Sequence, residues 1–211
     1  AVPSVVYNED CVEGLKRFSD KYFDLAIVDP PYGINADTKN NGKNSDRHEK
    51  TSLAKINTYK KTNWDNETPN ENYFNELKRV SKKQIIWGAN FFGLVGGMLY
   101  WHKNVTMPTY STGELAWLSW LQKIDFVNIT WHGMLQHNMK DKEQRIHPTQ
   151  KPVALYDWLL SNYAKEGDLI LDTHVGSGSS RIACNKGGFD FTGFEIDKDY
   201  YEAQEKRFKD F

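Results

Sequence analysis

The chain of 211 residues carries 27 Lys and Arg against 28 Asp and Glu, for a formal net charge of −1, with 39% hydrophobic and 26% charged residues. That size suits one α/β domain spanning 1–211, with a packed core under a solvated surface. No stretch is long and apolar enough for a membrane span and no leader resembles a signal peptide. The near-neutral balance does not mark a nucleic-acid binder, so such a role must rest on local patches. Cys11 and Cys184 lie far apart with no CxxC or zinc spacing, which predicts reduced thiols, a cytoplasmic protein and no metal site.

Val5 to Tyr7 reads as a short strand and Asp10 to Phe18 as an amphipathic helix. Asp24 to Val28 is a near-continuous apolar run, the pattern of a strand buried on both faces of a parallel sheet. Residues 36–63 are rich in Asn, Lys and Thr. They set Lys39, Lys43, Arg47, Lys50, Lys55, Lys60 and Lys61 against Asp37, Asp46 and Glu49. This predicts a mobile basic insertion, either a plain solvated loop or a segment that contacts phosphates.

Order returns with a helix through Tyr73, Leu77 and Val80 and a short strand from Ile85 to Trp87. "GMLYWHK" and "DFVNITWHG" read as strands, while "GELAWLSW" fits either a strand or a short helix. Pro152 to Tyr163 predicts a helix with proline in its first turn. "DLILD" is another buried strand, ended by "THVGSGSS". A helix over Arg181 to Lys186, a strand in "FTGFEID" and a helix in "DYYEAQEKRFKDF" complete the chain. Strands alternating with helices predict a parallel-rich, doubly wound sheet.

Two strand ends carry chemistry. Gly176 and Gly178 form a Gly-x-Gly turn between a buried strand and a helix, where backbone can approach a ligand closely. Glu195 follows at the end of the next strand, suitably placed for the two hydroxyls of a ribose. The third glycine of a dinucleotide fingerprint is replaced by Arg181, and no Lys-Ser/Thr pair serves a di- or triphosphate. S-adenosylmethionine, a nucleoside without phosphate, fits better than either.

The second strand end is Asp29-Pro30-Pro31-Tyr32. Two prolines fix the backbone and remove its donors while leaving the carbonyls. A carboxylate, a carbonyl and an aromatic ring then face the same crevice. The exocyclic amine of adenine or cytosine is a weak nucleophile because its lone pair is delocalised. Accepting its two hydrogens, one at Asp29 and one at the Pro30 carbonyl, favours a pyramidal nitrogen that can attack a methyl group. Tyr32 would stack on a base turned out of its helix.

With these motifs the chain resembles the S-adenosylmethionine-dependent amino-methyltransferases of DNA, adenine-N6 and cytosine-N4, in their circularly permuted β class. "DPPY" (29–32) resembles the catalytic motif, "LDTHVGSGSS" (171–180) the cofactor glycine motif and "GFEID" (193–197) the ribose segment. "HPTQKP" (147–152) is similar to the segment that precedes the cofactor helix. "YNEDCVEGLKRF" is similar to the one that reaches the adenine ring. The resemblance implies a Rossmann-like methyltransferase fold, with Asp29, Pro30, Pro31 and Tyr32 catalytic. It implies S-adenosylmethionine held by Asp10, Cys11, Asp29, Thr149, Lys151, Asp172, His174, Gly176, Ser177, Gly178, Ser179 and Glu195. Where the family usually has Asp-Pro-Phe, this chain has Asp172-Thr173-His174, so His174 stands in place of a phenylalanine beside the cofactor.

DPPY most often accompanies adenine, and "RVSKKQIIWGANFF" resembles a stretch of phage and mobile-element adenine enzymes. The expected reaction is therefore methylation of adenine N6 in double-stranded DNA, by base flipping, in a restriction-modification or mobile-element setting. Alternatives are cytosine N4, an RNA adenine, or an inactive binding module. Residues 103–145 are the expected target reader. Lys39, Lys43, Arg47, Lys60, Lys61, Lys140, Lys142 and Arg145 are candidate DNA contacts, and a homodimer would enlarge that surface.

Overall fold

The apolar run around Leu25 forms the middle of a sheet covered on both faces. The computed structural model describes residues 3–36, 65–105, 110–132 and 134–211. In chain order its strands are β1 (Ser4–Tyr7), β2 (Phe23–Val28), β3 (Ser81–Trp87), β4 (Gly97–His102), β5 (Gly113–Leu118) and β6 (Ile124–Asn128). Then come β7 (Trp131–His132), β8 (Leu135–Gln136), β9 (Leu169–Asp172) and β10 (Asp190–Phe194). Eight of them form one sheet in the order β1-β10-β9-β2-β3-β5-β4-β6, while β7 and β8 pair as a small hairpin. The run β1-β10-β9-β2-β3 is parallel; β5 is antiparallel to both neighbours, and β6 is parallel to β4. This is the doubly wound, mostly parallel architecture that the alternation of elements predicts.

The helices are α1 (Cys11–Leu15), α2 (Glu71–Val80), α3 (Val153–Tyr163), α4 (Ser179–Gly187) and α5 (Lys198–Asp210). Leu25 and Ile27 of β2 pack with Leu155, Leu159 and Ala183 of α3 and α4 on one face. Ala26 and Val28 pack with Leu15, Leu77 and Val80 of α1 and α2 on the other. Burial on both faces is the reason β2 reads as continuous rather than alternating. The side chain of Asn70 caps α2 by accepting from the Tyr73 N–H, and Lys78 and Arg79 occupy its last turn, where the helix dipole favours cations.

Four local expectations change; in one, "DFVNITWHG" divides between β6 and β7, which lie in different sheets. Helix α1 stops at Leu15 rather than Phe18. The strand expected from Ile85 begins at Ser81, directly at the end of α2. No turn residue separates the two, because the Ser81 hydroxyl caps the helix by donating 2.5 Å to the Leu77 carbonyl. "GELAWLSW" resolves as β5, inserted between β3 and β4.

In a parallel sheet the carboxyl ends of all strands lie at one edge, where ligands bind. That edge gathers the residues after β1, β2, β9 and β10. The reversal of β5 brings its first residues, Gly113 and Glu114, to the same edge, and β4 delivers Lys103 beside them. Among the described residues no helix is long and apolar enough to cross a membrane. Nor, among them, do three or more His, Cys, Asp or Glu stand together as a metal site.

Candidate active site

The proline corner is held by a residue that sequence reasoning passed over. Pro30 and Pro31 cannot donate, so the first N–H groups after them belong to Tyr32 and Gly33. Both donate to one oxygen of Asp65, at 2.7 and 3.0 Å, and the Ala36 N–H donates to the other at 2.7 Å. Asp65 is 1% exposed, and among the described residues its carboxylate accepts three N–H groups of this corner. The Tyr32 ring stacks on Phe91 at 4.8 Å and 15°, and its hydroxyl donates 2.5 Å to Asp29. Gly88 makes room for that ring: its φ is +75°, and a Cβ there would lie 2.3 Å from it.

Asp29 sits in a cluster of charges. Lys151 donates to its carboxylate, lies 3.0 Å from Glu114 and 3.3 Å from the Tyr32 hydroxyl, and Lys103 pairs with Glu114 from the far side. Burial pushes the Asp29 carboxyl up, with Lys151 pulling against it. Burial also acts to raise Glu114, but Lys151 and Lys103 outweigh it and hold Glu114 at about 2. Lys151 would be lowered by its own burial; Asp29 and Glu114 outweigh that and raise it. Two ammonium groups and two carboxylates balance: each lysine favours the ionised carboxylates, while Glu114 acts against the ionised form of Asp29.

Two cavities meet at this cluster. The first, about 310 Å³, is lined at one end by Asp10, Cys11, Phe194 and Ile196 and at the other by Asp29, Thr149 and Lys151. Its floor is the glycine turn. The Gly176 N–H donates 2.8 Å to Glu195, and a Cβ on Gly176 (φ +52°) would protrude to 3.7 Å from the His147 ring. Burial pushes the Glu195 carboxyl up to about 7 against the N–H groups of Asp197 and Gly176. His174 lines the wall edge-on to Tyr73, and burial lowers its pKa to about 4, so it is an uncharged ring at neutral pH.

Of the residues expected at the cofactor, Asp10, Cys11, Asp29, Thr149, Lys151, His174, Gly176, Ser177 and Glu195 line this cavity. Asp172 stands behind the wall, where burial pushes it up to about 6 and it accepts from Ser180 (2.6 Å) and the His174 N–H (3.0 Å). Gly178 faces α5, where a Cβ would meet Gln204 at 3.2 Å, and Ser179 accepts from Arg207 at 2.9 Å. The donor set suits S-adenosylmethionine. Of the carboxylates that line the cavity, Glu9 is paired with Arg17 and Asp29 with Lys151, while Asp10 and Glu195 add further acidic character. Such a surface repels phosphate, accepts a sulfonium cation, and offers Glu195 to ribose hydroxyls.

The second cavity, about 410 Å³, shares Asp29, Pro31, Thr149, Gln150 and Lys151 with the first. It is walled by Tyr32, Trp101, Tyr110, Trp131, His132 and Arg145. The Arg145 guanidinium lies 4.2 Å from the Trp131 ring centroid. Lys140 is exposed, and Lys142 lines a separate groove beside Glu143 and α5. Lys39, Lys43, Arg47, Lys60 and Lys61, with nearly all of segment 36–63, lie outside the described residues.

Comparison with known proteins agrees with the fold. Residues 55–206 match the family model for N6/N4 DNA methylases. The chain is 24% identical over 242 residues to the type II methyltransferase M2.DpnII of Streptococcus pneumoniae, covering 96% of this chain and 88% of that protein. A 39% identical match to type II methyltransferase M.HpaI of Haemophilus parainfluenzae is local, spanning 32% of this chain and 21% of the relative. Among solved structures, the M1.HpyAVI–SAM complex is similar at TM-score 0.60 and 21% identity, covering 96% of this chain and 98% of that one. The cytosine-N4-specific PvuII DNA methyltransferase reaches TM-score 0.60 at 13% identity, covering 99% and 90%. The chain belongs to the adenine-N6/cytosine-N4 DNA methylase family. With membership come S-adenosylmethionine as cofactor and DNA methyl transfer as the activity. The matched span begins after the proline corner, so the role of 29–32 rests on its own geometry.

Proposed function

We propose that the chain methylates the N6 amine of adenine in double-stranded DNA, with the target base turned out of the duplex into the second cavity. The observation that carries this reading is the shared wall: Asp29 borders both cavities, between the nucleoside-type site and the aromatic-walled one. S-adenosylmethionine supplies an electrophilic methyl group on a sulfonium.

The chain's own residues do the rest. Asp29 accepts one amine hydrogen and the Pro30 carbonyl the other, which directs the nitrogen lone pair away from the ring. A carboxylate has about four acceptor sites, so bonds from Tyr32 and Lys151 leave capacity for the amine. After transfer the nitrogen sheds a proton, for which Asp29 is the nearest acceptor. Tyr110, Trp131 and His132 supply flat faces for an extrahelical base, whose extraction costs a few kcal/mol. Arg145 and the basic segment 36–63 would meet phosphates, and the acceleration comes from positioning and fixed charge. A cytoplasmic location and a homodimer belong to the same reading.

Adenine is preferred to cytosine because the corner reads Asp-Pro-Pro-Tyr, the form that most often accompanies adenine. The test is the identity of the methylated nucleoside formed on unmethylated duplex DNA: N6-methyladenine supports the reading, and N4-methylcytosine or no product overturns it.

A further inference from the structure

Glu114 belongs to no sequence motif considered above, yet its carboxylate lies against both lysines of the active-site cluster. Burying four charges is costly, and a buried ion network is often no more stable than apolar residues of the same volume. Its place between two ligand cavities therefore calls for a reason other than stability. Asp29 is the member the chemistry uses. Lys151 is the cation that touches it, with a side chain 4% exposed, and Glu114 is the second carboxylate that touches Lys151. Lys103, reaching Glu114 from the end of β4, completes the balance.

We propose that Glu114 is a positioning residue for methyl transfer: with Lys103 it fixes Lys151 against Asp29 and thereby sets the pH range over which Asp29 can accept the target amine. The proposal rests on Asp29 being that acceptor. β5 runs opposite to β3, so its first turn reaches the strand ends where Asp29 emerges, and a residue there acts on the corner without belonging to it. The ionisable groups that bear on Asp29 from the elements around it are Tyr32 of the corner, Tyr73 of α2, Glu114 of β5, Lys151 before α3, Tyr156 of α3 and Asp172 of β9. Of these, Glu114 is the carboxylate that shares Lys151 with Asp29.

The sign of the effect follows from Coulomb's law. Removing a negative charge within about 6 Å lowers the pKa of every neighbour, by about one to two pH units for an effective dielectric near 20. Glu114→Gln therefore lowers the Asp29 midpoint and moves both limbs of the pH–rate profile toward acid. Lys103→Met removes a positive charge and moves them the other way. Glu114→Asp keeps the charge and stays near the wild type. A residue needed only for packing would reduce turnover without moving the limbs in opposite directions in these two variants.

The experiment reads the Asp29 side-chain carboxyl by carbon-13 NMR against pH in the free protein, assigned with Asp29→Asn, beside pH profiles of total methyl incorporation into duplex DNA. Opposite shifts in Glu114→Gln and Lys103→Met, seen by both methods, are expected. Midpoints and limbs that coincide with the wild type in both variants would overturn the proposal. If Glu114→Gln fails to fold, Lys103→Met alone carries the same test with the opposite sign. If the NMR midpoints move as expected but the wild type methylates no DNA, Asp29 is not the amine acceptor and the underlying reading falls instead. Counting label irrespective of base keeps the result independent of the choice between adenine and cytosine.

Discussion

Lys151 and Asp29, 122 positions apart in the chain, meet as an ion pair on the wall between two cavities. The lysine comes from the loop before α3 and the aspartate from the end of β2, so the pair joins the cofactor side of the sheet to the proline corner. Replacing Lys151 by Met leaves Asp29 and Glu114 facing each other without their shared cation. We expect a loss of about 3 kcal/mol in denaturant unfolding, since removing one partner strands a buried charge. Burial and Glu114 then act on Asp29 with no Lys151 to oppose them, so its pKa rises further. The acid limb of the activity profile should move to higher pH.

Asp65 gives a second prediction. It accepts from Tyr32, Gly33 and Ala36, and Asp65→Ala removes all three bonds at once. Each buried N–H left without a partner costs roughly 1–3 kcal/mol, so a total of about 2–4 kcal/mol is expected in urea unfolding, some of it recovered by water. Turnover should fall by at least about tenfold, because the corner that aims Asp29 loosens. Unchanged stability together with unchanged turnover would show that the prolines hold the corner unaided.

Cofactor affinity should depend on pH through Glu195. Its carboxyl is raised to about 7, so it is largely protonated below that value and ionised above it. On the proposed reading the ionised form would accept from both ribose hydroxyls, whereas the protonated form would give up part of that capacity. Binding of S-adenosylmethionine, followed by calorimetry, should strengthen by about tenfold from pH 6 to pH 8 and become nearly flat in Glu195→Gln. The same shift has a cost without ligand. A carboxyl raised on folding contributes stability below its unfolded pKa, near 4.3, and loses it as pH climbs through 7. Thermal unfolding of the free protein should reveal that decline, and Glu195→Gln should reduce it.

Tyr110 separates substrate binding from folding. It is 58% exposed, lies edge-on to His132 and lines the second cavity. Stacking of a base on an aromatic ring is worth about 1–3 kcal/mol. Tyr110→Ala should weaken binding of duplex DNA by roughly tenfold or more in a fluorescence titration, with the unfolding midpoint nearly unchanged.

Much of the frame was legible because its signals are local. β2 from Leu25 to Val28 and β9 from Leu169 to Leu171 are continuous apolar runs since both faces are covered, and Gly176 and Glu195 stand beyond strand ends beside the cavity they line. The start of β3 was hidden because the helix-to-strand junction at Ser81 is capped by a side chain rather than marked by Gly or Pro. Glu114, Lys103 and Asp65 were missed for a different reason. Each is an ordinary charged residue in its own stretch and acquires a role only when strand reversal or a long connection brings it to Asp29 or Tyr32. Gly178 and Ser179 share the glycine motif with Gly176 but point toward α5, a distinction that depends on backbone direction rather than residue type.

The most direct test of the central claim is methyl transfer from labelled S-adenosylmethionine to unmethylated duplex DNA, beside Asp29→Ala, with digestion to nucleosides and mass spectrometry. The account predicts N6-methyladenine from the wild type and a loss of at least about a hundredfold in the variant. N4-methylcytosine as the product, or an Asp29→Ala variant as active as the wild type, would contradict it.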